Sequence, residues 1–229
     1  MWRRIRPLVE PSTSWRTLPV TQSFGDASPI RPLTKAEYEV VARRYPYYRA
    51  RGRYLSVAAS LAGDLIATHG LQSALELGPN LQPLVVGADV MDIRALPELQ
   101  LRPPARFLLH DATQPPWPIA DKQYDLFVAL QVFEHLRHEQ NVAFMEVCRV
   151  AENALISVPI DWEMDDPRNC HHRISQGQAL SWFRPFSPTR VVVGNPGPRK
   201  RLIYVFENLA SDRRARKYAD ARAEGPDRA

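Results

Sequence analysis

The sequence predicts an α/β fold with a seven-stranded, mostly parallel sheet, helices on both faces and an antiparallel hairpin at the carboxyl end. Short apolar runs alternate with helical patterns through the middle of the chain, which is typical of a parallel sheet between two layers of helices. The last two apolar runs are joined by residues 194–198, GNPGP, and such a turn-rich connection favours an antiparallel hairpin.

Each predicted strand is a short run of apolar residues bounded by polar residues, glycine or proline. The strands are predicted at 73–77, 88–91, 105–109, 124–130, 154–158, 190–193 and 201–207. Apolar residues recur at helical spacing in 139–150 and 176–183, after the fourth and fifth of these strands. This order of elements predicts helices that cross from one parallel strand to the next.

A helical region precedes the first strand. Thr34 and Glu37 have the spacing of a capping box that begins a helix, and Pro46 interrupts the pattern. A second helical pattern covers 47–69 and ends at Gly70, a residue suited to a helix terminus. We expect residues 34–70 to cover the sheet.

Length and charge predict one domain with two appendages. The 229 residues are enough for a full hydrophobic core. We expect an extended arm at 1–33, a domain at 34–210 and a polar tail at 211–229. The formal charge of +5 lies in the terminal segments 1–16 and 212–229, which leaves the residues between them neutral. A nucleic-acid partner is therefore not expected.

The number and spacing of cysteines and the lengths of the apolar runs indicate the cellular compartment of the protein. Cys148 and Cys170 are the only cysteines, and they show neither a disulfide framework nor the short spacing of a zinc site. Prolines and a glutamate interrupt the arginine-containing amino terminus, and eighteen consecutive apolar residues occur nowhere in the sequence. These features predict a cytoplasmic protein without a signal peptide, membrane span or bound metal.

Polar or glycine residues stand at the ends of successive predicted strands. Glu76 and Gly78 end the first strand, Asp92 the second and Asp111 the third. Ligands of open parallel sheets bind at the carboxyl ends of the strands, so these residues predict a nucleotide-like pocket. Glycine allows close approach of the backbone, and a carboxylate offers two acceptors to ribose hydroxyls or to an exocyclic amine. Glu76 would either orient the following loop or accept from a bound group.

Five sequence motifs carry a family resemblance. They are LELG at 75–78, DI at 92–93, HDA at 110–112, PWPIADKQYDL at 116–126 and FEHL at 133–136. In this order they resemble the motifs of class I S-adenosylmethionine-dependent methyltransferases, whose fragment D-A-x-x-L-P-F-P-D-x-x-F-D-L-V followed by E-H-L is distinctive. The resemblance covers roughly residues 50–207 and implies a Rossmann-like sheet that ends in an antiparallel hairpin.

The resemblance implies S-adenosyl-L-methionine as cofactor and a set of residues that bind it. These are Glu76, Gly78 and Pro79 at the methionine moiety, Asp92 with Ile93 at the ribose and adenine, Asp111 with Ala112 at the adenine amine, and Gln131 near the carboxylate or transferred methyl group. Asp125 has a different expected role, to order the turn into its strand.

The first motif departs from the family pattern. The usual G-x-G is replaced by GPN at 78–80, and Glu76 and Asp92 are only sixteen positions apart, too few for a complete crossover helix. We therefore expect an abbreviated first crossover. This departure leaves open a catalytically inactive binding or scaffold protein with the same fold.

Candidate catalytic residues are histidines near the strand ends. His135 follows the fourth strand and would act either as a base or in ordering the loop. In the polar segment 159–173, His172 best fits the family's pattern of a histidine before a helix that begins with serine or threonine. A metal held by this segment is the alternative, but no ligand spacing supports it.

The predicted reaction is methyl transfer to oxygen or nitrogen of a small molecule, with RNA or protein methylation as the other alternative.

Overall fold

The computed structural model describes residues 30–209 and, for residues 15–16, the backbone. The helices are α1 (Lys35–Arg44), α2 (Pro46–Arg49), α3 (Gly52–His69), α4 (Gln140–Val150) and α5 (Gln176–Trp182). The strands are β1 (Trp15–Arg16), β2 (Arg31–Pro32), β3 (Ala74–Leu77), β4 (Val85–Val86), β5 (Asp89–Asp92), β6 (Phe107–Leu109), β7 (Tyr124–Leu130), β8 (Ala151–Pro159), β9 (Arg190–Asn195) and β10 (Arg201–Phe206). A 3₁₀ turn occupies Phe133–His135.

The main sheet has the order β1-β6-β5-β3-β7-β8-β10-β9. Neighbouring strands from β6 to β8 are parallel, whereas β10 is antiparallel to both β8 and β9. The predicted seven-stranded, mostly parallel sheet with a final antiparallel hairpin is therefore confirmed. The two-residue strand β1 adds an antiparallel edge beside β6.

The connection between β3 and β5 contains no helix. Instead it holds β4, which pairs with β2 in a separate two-stranded ribbon. The sequence predicted the shortening of this crossover but not the ribbon. Since β2 directly precedes α1, the ribbon ties the beginning of the helical region to the loop after β3.

The helical region has the local signals that the sequence predicted. The Thr34 side chain accepts from the backbone N–H of Glu37, and the Glu37 carboxylate accepts from the backbone N–H of Thr34, so the capping box is formed. Pro46 is the first residue of α2, where proline needs no hydrogen-bond partner. Gly70 ends α3 in the left-handed conformation, with φ +63°.

The two faces of the sheet bury different cores. On one face α3 packs through Tyr54, Ala58, Leu61, Ala62 and Leu65 against apolar residues of β7, β8 and β10. The other face is covered by α4 and α5. The core on this face includes the aromatic side chains of Trp117, Phe127, Phe133, Phe144, Phe183, Phe186, Tyr204 and Phe206. Each such side chain contributes roughly 1.5–3 kcal/mol on burial, so both layers of helices are anchored on the sheet.

Two expectations concern segments that lie largely outside the described residues. The arm at 1–33 is described only at 15–16 and 30–33, and the tail at 211–229 lies outside the described residues. Among the helices of the described part, none is both long and apolar enough to cross a membrane.

Candidate active site

The carboxyl ends of β3, β5, β6 and β7 meet at one edge of the sheet. The Gly78 N–H donates to Met91 O at 2.9 Å, and the His110 N–H donates to Asp92 O at 3.0 Å. These bonds extend the parallel ladders by one residue past β3 and β6. The strand-end residues that the sequence singled out are thus brought to a common edge, which is where ligands of such sheets bind.

Gly78 turns the chain sharply after β3. Its φ is +62°, a conformation that side chains other than glycine rarely adopt. A Cβ at this position would lie 3.0 Å from Val132 Cγ2, on the segment after β7. Both the backbone conformation and the close neighbour therefore require glycine.

Glu76 is buried beneath the loop that follows it, with 2% of its surface exposed. Its Oε2 accepts from the backbone N–H groups of Leu84 at 2.7 Å and Val85 at 3.2 Å. Burial raises the pKa of this carboxyl group to about 8, against the opposing effect of the two hydrogen bonds. Of the two roles considered from sequence, these contacts match the first, in which the side chain orients the loop.

Tyr48 of α2 holds the same loop from the other side, a role that sequence reasoning missed. Its hydroxyl oxygen accepts from the backbone N–H groups of Leu81 at 3.1 Å and Gln82 at 3.2 Å, and it lies 3.4 Å from Pro79 O. Burial raises the pKa of this phenol to about 12, so it remains protonated at neutral pH. The abbreviated loop is therefore fixed by two buried side chains, Glu76 and Tyr48.

Asp92 and Ile93 follow the end of β5 with opposite exposures. Asp92 is 5% exposed, and its Oδ1 accepts from the Arg94 N–H at 2.9 Å. Burial raises the pKa of Asp92, with the Arg94 contacts opposing that rise. Ile93 is 61% exposed although it is large and apolar. A carboxylate beside an uncovered apolar side chain is an arrangement suited to a ribose and a base.

Asp111 orders the turn after β6. Its Oδ1 accepts from the Thr113 N–H at 2.9 Å and from Thr113 Oγ1 at 2.8 Å. The neighbouring Ala112 is buried, and its carbonyl accepts from Trp117 Nε1 at 3.1 Å. Asp111 and Ala112 thus stand at the third strand end, in a turn closed by their own contacts.

Gln131 follows β7 and is buried, with φ +60°. Its backbone N–H donates to Ser157 O, and its Oε1 accepts from Arg201 Nε at 2.9 Å. The Nε2 amide group is buried and has no partner among the residues that the structure describes. A buried donor without a partner costs about 1–3 kcal/mol, so this group is poised for an acceptor on a ligand.

The structure places His171, rather than His172, next to His135. The rings of His135 and His171 are nearly perpendicular, with centroids 4.9 Å apart. His172 Nδ1 instead accepts from the Met164 N–H at 3.1 Å and so orders its own loop. Adjacent residues in a turn point in different directions, and the sequence carries no signal that tells the two histidines apart.

Glu134 lies behind His171 and is 3% exposed. Its Oε1 is 3.5 Å from His171 Nε2, and within the described part of the chain neither carboxylate oxygen has a hydrogen bond. Burial raises the pKa of Glu134 to about 8. Burial also lowers the pKa of His171 to about 4, reinforced by His135 and by arginines nearby, chiefly Arg51.

Asp125 lies at the opposite edge, at the start of β7. Its Oδ2 accepts from the backbone N–H groups of Gln72 and Ser73, each at 2.8 Å, and from Ser73 Oγ at 2.9 Å. This carboxylate connects the beginnings of β3 and β7. The contacts match the structural role expected from the sequence.

The strand order with an antiparallel β10 is that of a Rossmann-like, mostly parallel sheet with a final antiparallel hairpin, the class of sheet that the sequence predicted. No protein-family model and no curated protein matches the sequence. Solved structures of similar shape include a SAM-dependent methyltransferase from Aquifex aeolicus, with 12% identity, TM-score 0.41, and coverage of 58% of this chain and 80% of that one. A TehB-like SAM-dependent methyltransferase from Corynebacterium glutamicum has 17% identity, TM-score 0.46, and coverage of 76% and 100%. The N-methyltransferase NodS from Bradyrhizobium japonicum, complexed with S-adenosyl-L-homocysteine, has 14% identity, TM-score 0.47, and coverage of 73% and 90%.

Proposed function

We propose that this protein is a methyltransferase that uses S-adenosyl-L-methionine and transfers the methyl group to oxygen or nitrogen of a small molecule. The observation that carries the proposal is the meeting of Gly78, Asp92, Asp111 and Gln131 at one edge of the parallel sheet. The Gln131 Nε2 group is buried there and has no hydrogen-bond partner among the described residues. The unpaired donor supports a ligand with an acceptor at that position.

The residues at this edge fit the cofactor in chemical type. Asp92 offers acceptors for ribose hydroxyls, and the exposed Ile93 offers apolar surface to an adenine ring. Asp111 with Ala112 follows the third strand end, where the base amine would lie. Gln131 Nε2 would donate to the amino-acid carboxylate. Glu76 supports the loop at Gly78 and Pro79 that would face the methionine moiety.

The bound cofactor would supply the electrophilic methyl group on its sulfonium. The protein then has to orient the acceptor, exclude water and take a proton from a hydroxyl acceptor. His135 is our candidate for the last role. Burial, with a smaller contribution from Arg94, lowers its pKa, so the imidazole is neutral at physiological pH and able to accept a proton. His172 is the second candidate for a catalytic role.

Isothermal calorimetry of the full-length protein with S-adenosyl-L-methionine tests the proposal. We expect a dissociation constant in the micromolar range. Glu152→Gln is the control variant because Glu152 is exposed at the start of β8, on the opposite edge of the sheet, and it should bind equally well. Absence of binding at millimolar cofactor would overturn the proposal.

A catalytically inactive protein with the same fold is the second candidate. The amide groups of Leu81 and Gln82 are engaged by Tyr48, and Glu76 is engaged by its own loop. Both contacts reduce the polar groups that this loop offers to a ligand. Incubation with labelled cofactor and a cell extract, followed by mass spectrometry, separates the candidates: an active enzyme yields one new methylated compound, whereas an inactive protein binds without yielding any.

RNA or protein methylation is the remaining alternative. An RNA substrate requires a basic surface around the pocket, and the formal charge of residues 17–211 is zero. A product in the small-molecule fraction of the extract, rather than in its RNA or protein fraction, is the outcome that our proposal expects.

A further inference from the structure

Three side chains from two separate segments converge beside the strand ends. His135 lies in the 3₁₀ turn after β7, while Cys170 and His171 lie in the loop between β8 and α5. Cys170 Sγ is 3.3 Å from His135 Nδ1 and 3.6 Å from His171 Nδ1. One ligand atom from each residue lies within 4.8 Å of those of the other two.

These separations can be compared with those in a tetrahedral zinc site. Zinc–sulfur bonds of about 2.3 Å and zinc–nitrogen bonds of about 2.05 Å place sulfur and nitrogen ligands roughly 3.6 Å apart. The two sulfur–nitrogen distances, 3.3 and 3.6 Å, are close to that value. Two of the three ligand separations therefore match those of a tetrahedral site, and the third, between the two histidine nitrogens, is at most 4.8 Å.

A second observation is the buried carboxylate behind one of the histidines. Glu134 Oε1 lies 3.5 Å from His171 Nε2, the ring nitrogen on the far side from the cysteine, and it has no hydrogen bond within residues 30–209. Histidines that bind metal through one nitrogen usually donate the other N–H to a carboxylate or carbonyl. The Trp162 ring also stacks on His171, with centroids 5.7 Å apart and planes at 22°, and restrains its orientation.

Two features oppose a cation and have to be outweighed. His171 Nδ1 lies 2.8 Å from Asn169 Oδ1, so this contact must open before Nδ1 can bind a metal. Asn169 Oδ1 would still accept a hydrogen bond from the His171 backbone N–H. Arginines near His171 also repel a cation. Burial raises the pKa of both Glu134 and Cys170 in the absence of a metal. A bound cation would lower both pKa values, and the resulting carboxylate and thiolate would supply two negative charges against the arginines.

We propose that His135, Cys170 and His171 bind a divalent transition-metal ion of the zinc type, with Glu134 fixing the orientation of His171. Nitrogen and thiolate ligands in a three-residue set favour Zn²⁺ and leave a fourth position open for water or an acceptor atom. With metal bound, His135 is a ligand and no longer a base, and the ion itself can activate a hydroxyl group. Metal binding does not depend on the proposed methyl transfer.

Cobalt(II) is the probe for the first experiment, because its visible spectrum reports tetrahedral geometry and thiolate ligation. Full-length protein is treated with a chelator, dialysed and titrated with Co²⁺ and then with Zn²⁺. We expect one equivalent of cobalt, a thiolate-to-cobalt charge-transfer band, and loss of the band when zinc displaces cobalt. Absence of that band would overturn the proposal.

Variants assign the ligands. Cys170→Ser should remove the charge-transfer band, and His171→Ala should weaken zinc binding at least tenfold. His138→Ala is the matched histidine control, since His138 is exposed and close to the site in sequence, and it should bind zinc as the unaltered protein does. Equal affinity in Cys170→Ser and the unaltered protein would place the metal elsewhere. Circular dichroism verifies the fold of each variant.

Two further measurements keep the test independent of folding and of the cofactor. In the unaltered protein, bound Zn²⁺ should protect Cys170 from iodoacetamide, as read by peptide mass spectrometry, and unchanged alkylation would contradict the site. Glu134→Gln should retain the charge-transfer band but weaken zinc binding by roughly 10- to 100-fold, the usual effect of losing such a partner. Failure to bind S-adenosyl-L-methionine would leave these results unaffected and would concern only the proposed function.

Discussion

Val132 Cγ2 lies 3.0 Å from the position that a Cβ would occupy on Gly78, so the segment after β7 closes directly over the turn after β3. The contact joins the first and fourth strand ends of the candidate active site. The contact gives this position a packing requirement for glycine in addition to its left-handed backbone conformation.

Gly78→Ala should destabilise the protein and weaken cofactor binding. The left-handed backbone costs about 1–2 kcal/mol for a residue with a Cβ, and the collision with Val132 adds about 1–3 kcal/mol. Gly70→Ala is the matched control, because Gly70 has φ +63° but its added Cβ would have no atom of the described residues within 4 Å. Urea unfolding should show a larger decrease in the free energy of unfolding for Gly78→Ala than for Gly70→Ala. Equal decreases would mean that the Val132 contact is unimportant.

Asp92→Ala should weaken binding of S-adenosyl-L-methionine by roughly 10- to 100-fold, because hydrogen bonds to a charged group contribute about 1.5–3 kcal/mol. Asp92→Asn keeps one acceptor without the charge, so its affinity for the cofactor should lie between those of the unaltered protein and Asp92→Ala. Calorimetry on folded variants measures the effect. Unchanged affinity in both variants would remove Asp92 from the ribose site.

Glu76 predicts a pH dependence of stability. The pKa of this buried carboxyl group is raised from 4.5 to about 8. Between those values the folded protein binds more protons than the unfolded one, so the free energy of unfolding falls as pH rises. The slope is at most about 1.4 kcal/mol per pH unit for one group.

Glu76→Gln tests this pH dependence because glutamine keeps an acceptor for Leu84 and Val85 but does not titrate. Its free energy of unfolding should fall less between pH 5 and pH 8, as measured by urea unfolding. The free energy of unfolding of this variant will still fall somewhat with pH, because the pKa of Glu134 is raised in the same way. The nearby phenol of Tyr48 stays neutral in this range and does not contribute. Identical slopes would show that Glu76 is ionised in the folded protein.

Asp125→Ala should lower stability without affecting the cofactor. It removes the acceptor of three hydrogen bonds at the start of β7 and should cost about 1–3 kcal/mol. Glu152→Ala, at an exposed position of the same edge, should change stability by less than about 0.5 kcal/mol. A changed cofactor affinity in folded Asp125→Ala would contradict the separation of the two edges.

The features that the sequence predicted are those encoded by neighbouring residues. Thr34 with Glu37, Pro46 and Gly70 bound the helices through local hydrogen bonds and backbone preferences, and these appear in the structure as expected. Apolar runs likewise set the strands, because a strand of a parallel sheet must bury both faces. The alternation of strands and helices predicted a mostly parallel sheet, whereas the order of the strands within it came only from the structure.

The features that the sequence did not predict depend on contacts between distant segments. Tyr48 of α2 reaches the loop at 81–82, and the ribbon pairs residues 31–32 of β2 with residues 85–86 of β4. No local pattern marks either contact, since each depends on how the helical region lies on the sheet.

The sequence by itself determined the α/β class, the final hairpin and the strand ends at which Gly78, Asp92, Asp111 and Gln131 stand. Only the tertiary structure decided that His171 rather than His172 lies beside His135, and that Cys170 completes the cluster. The physical reason is that strand ends converge by the geometry of a parallel sheet, whereas the direction of a side chain in a loop depends on the packing around it.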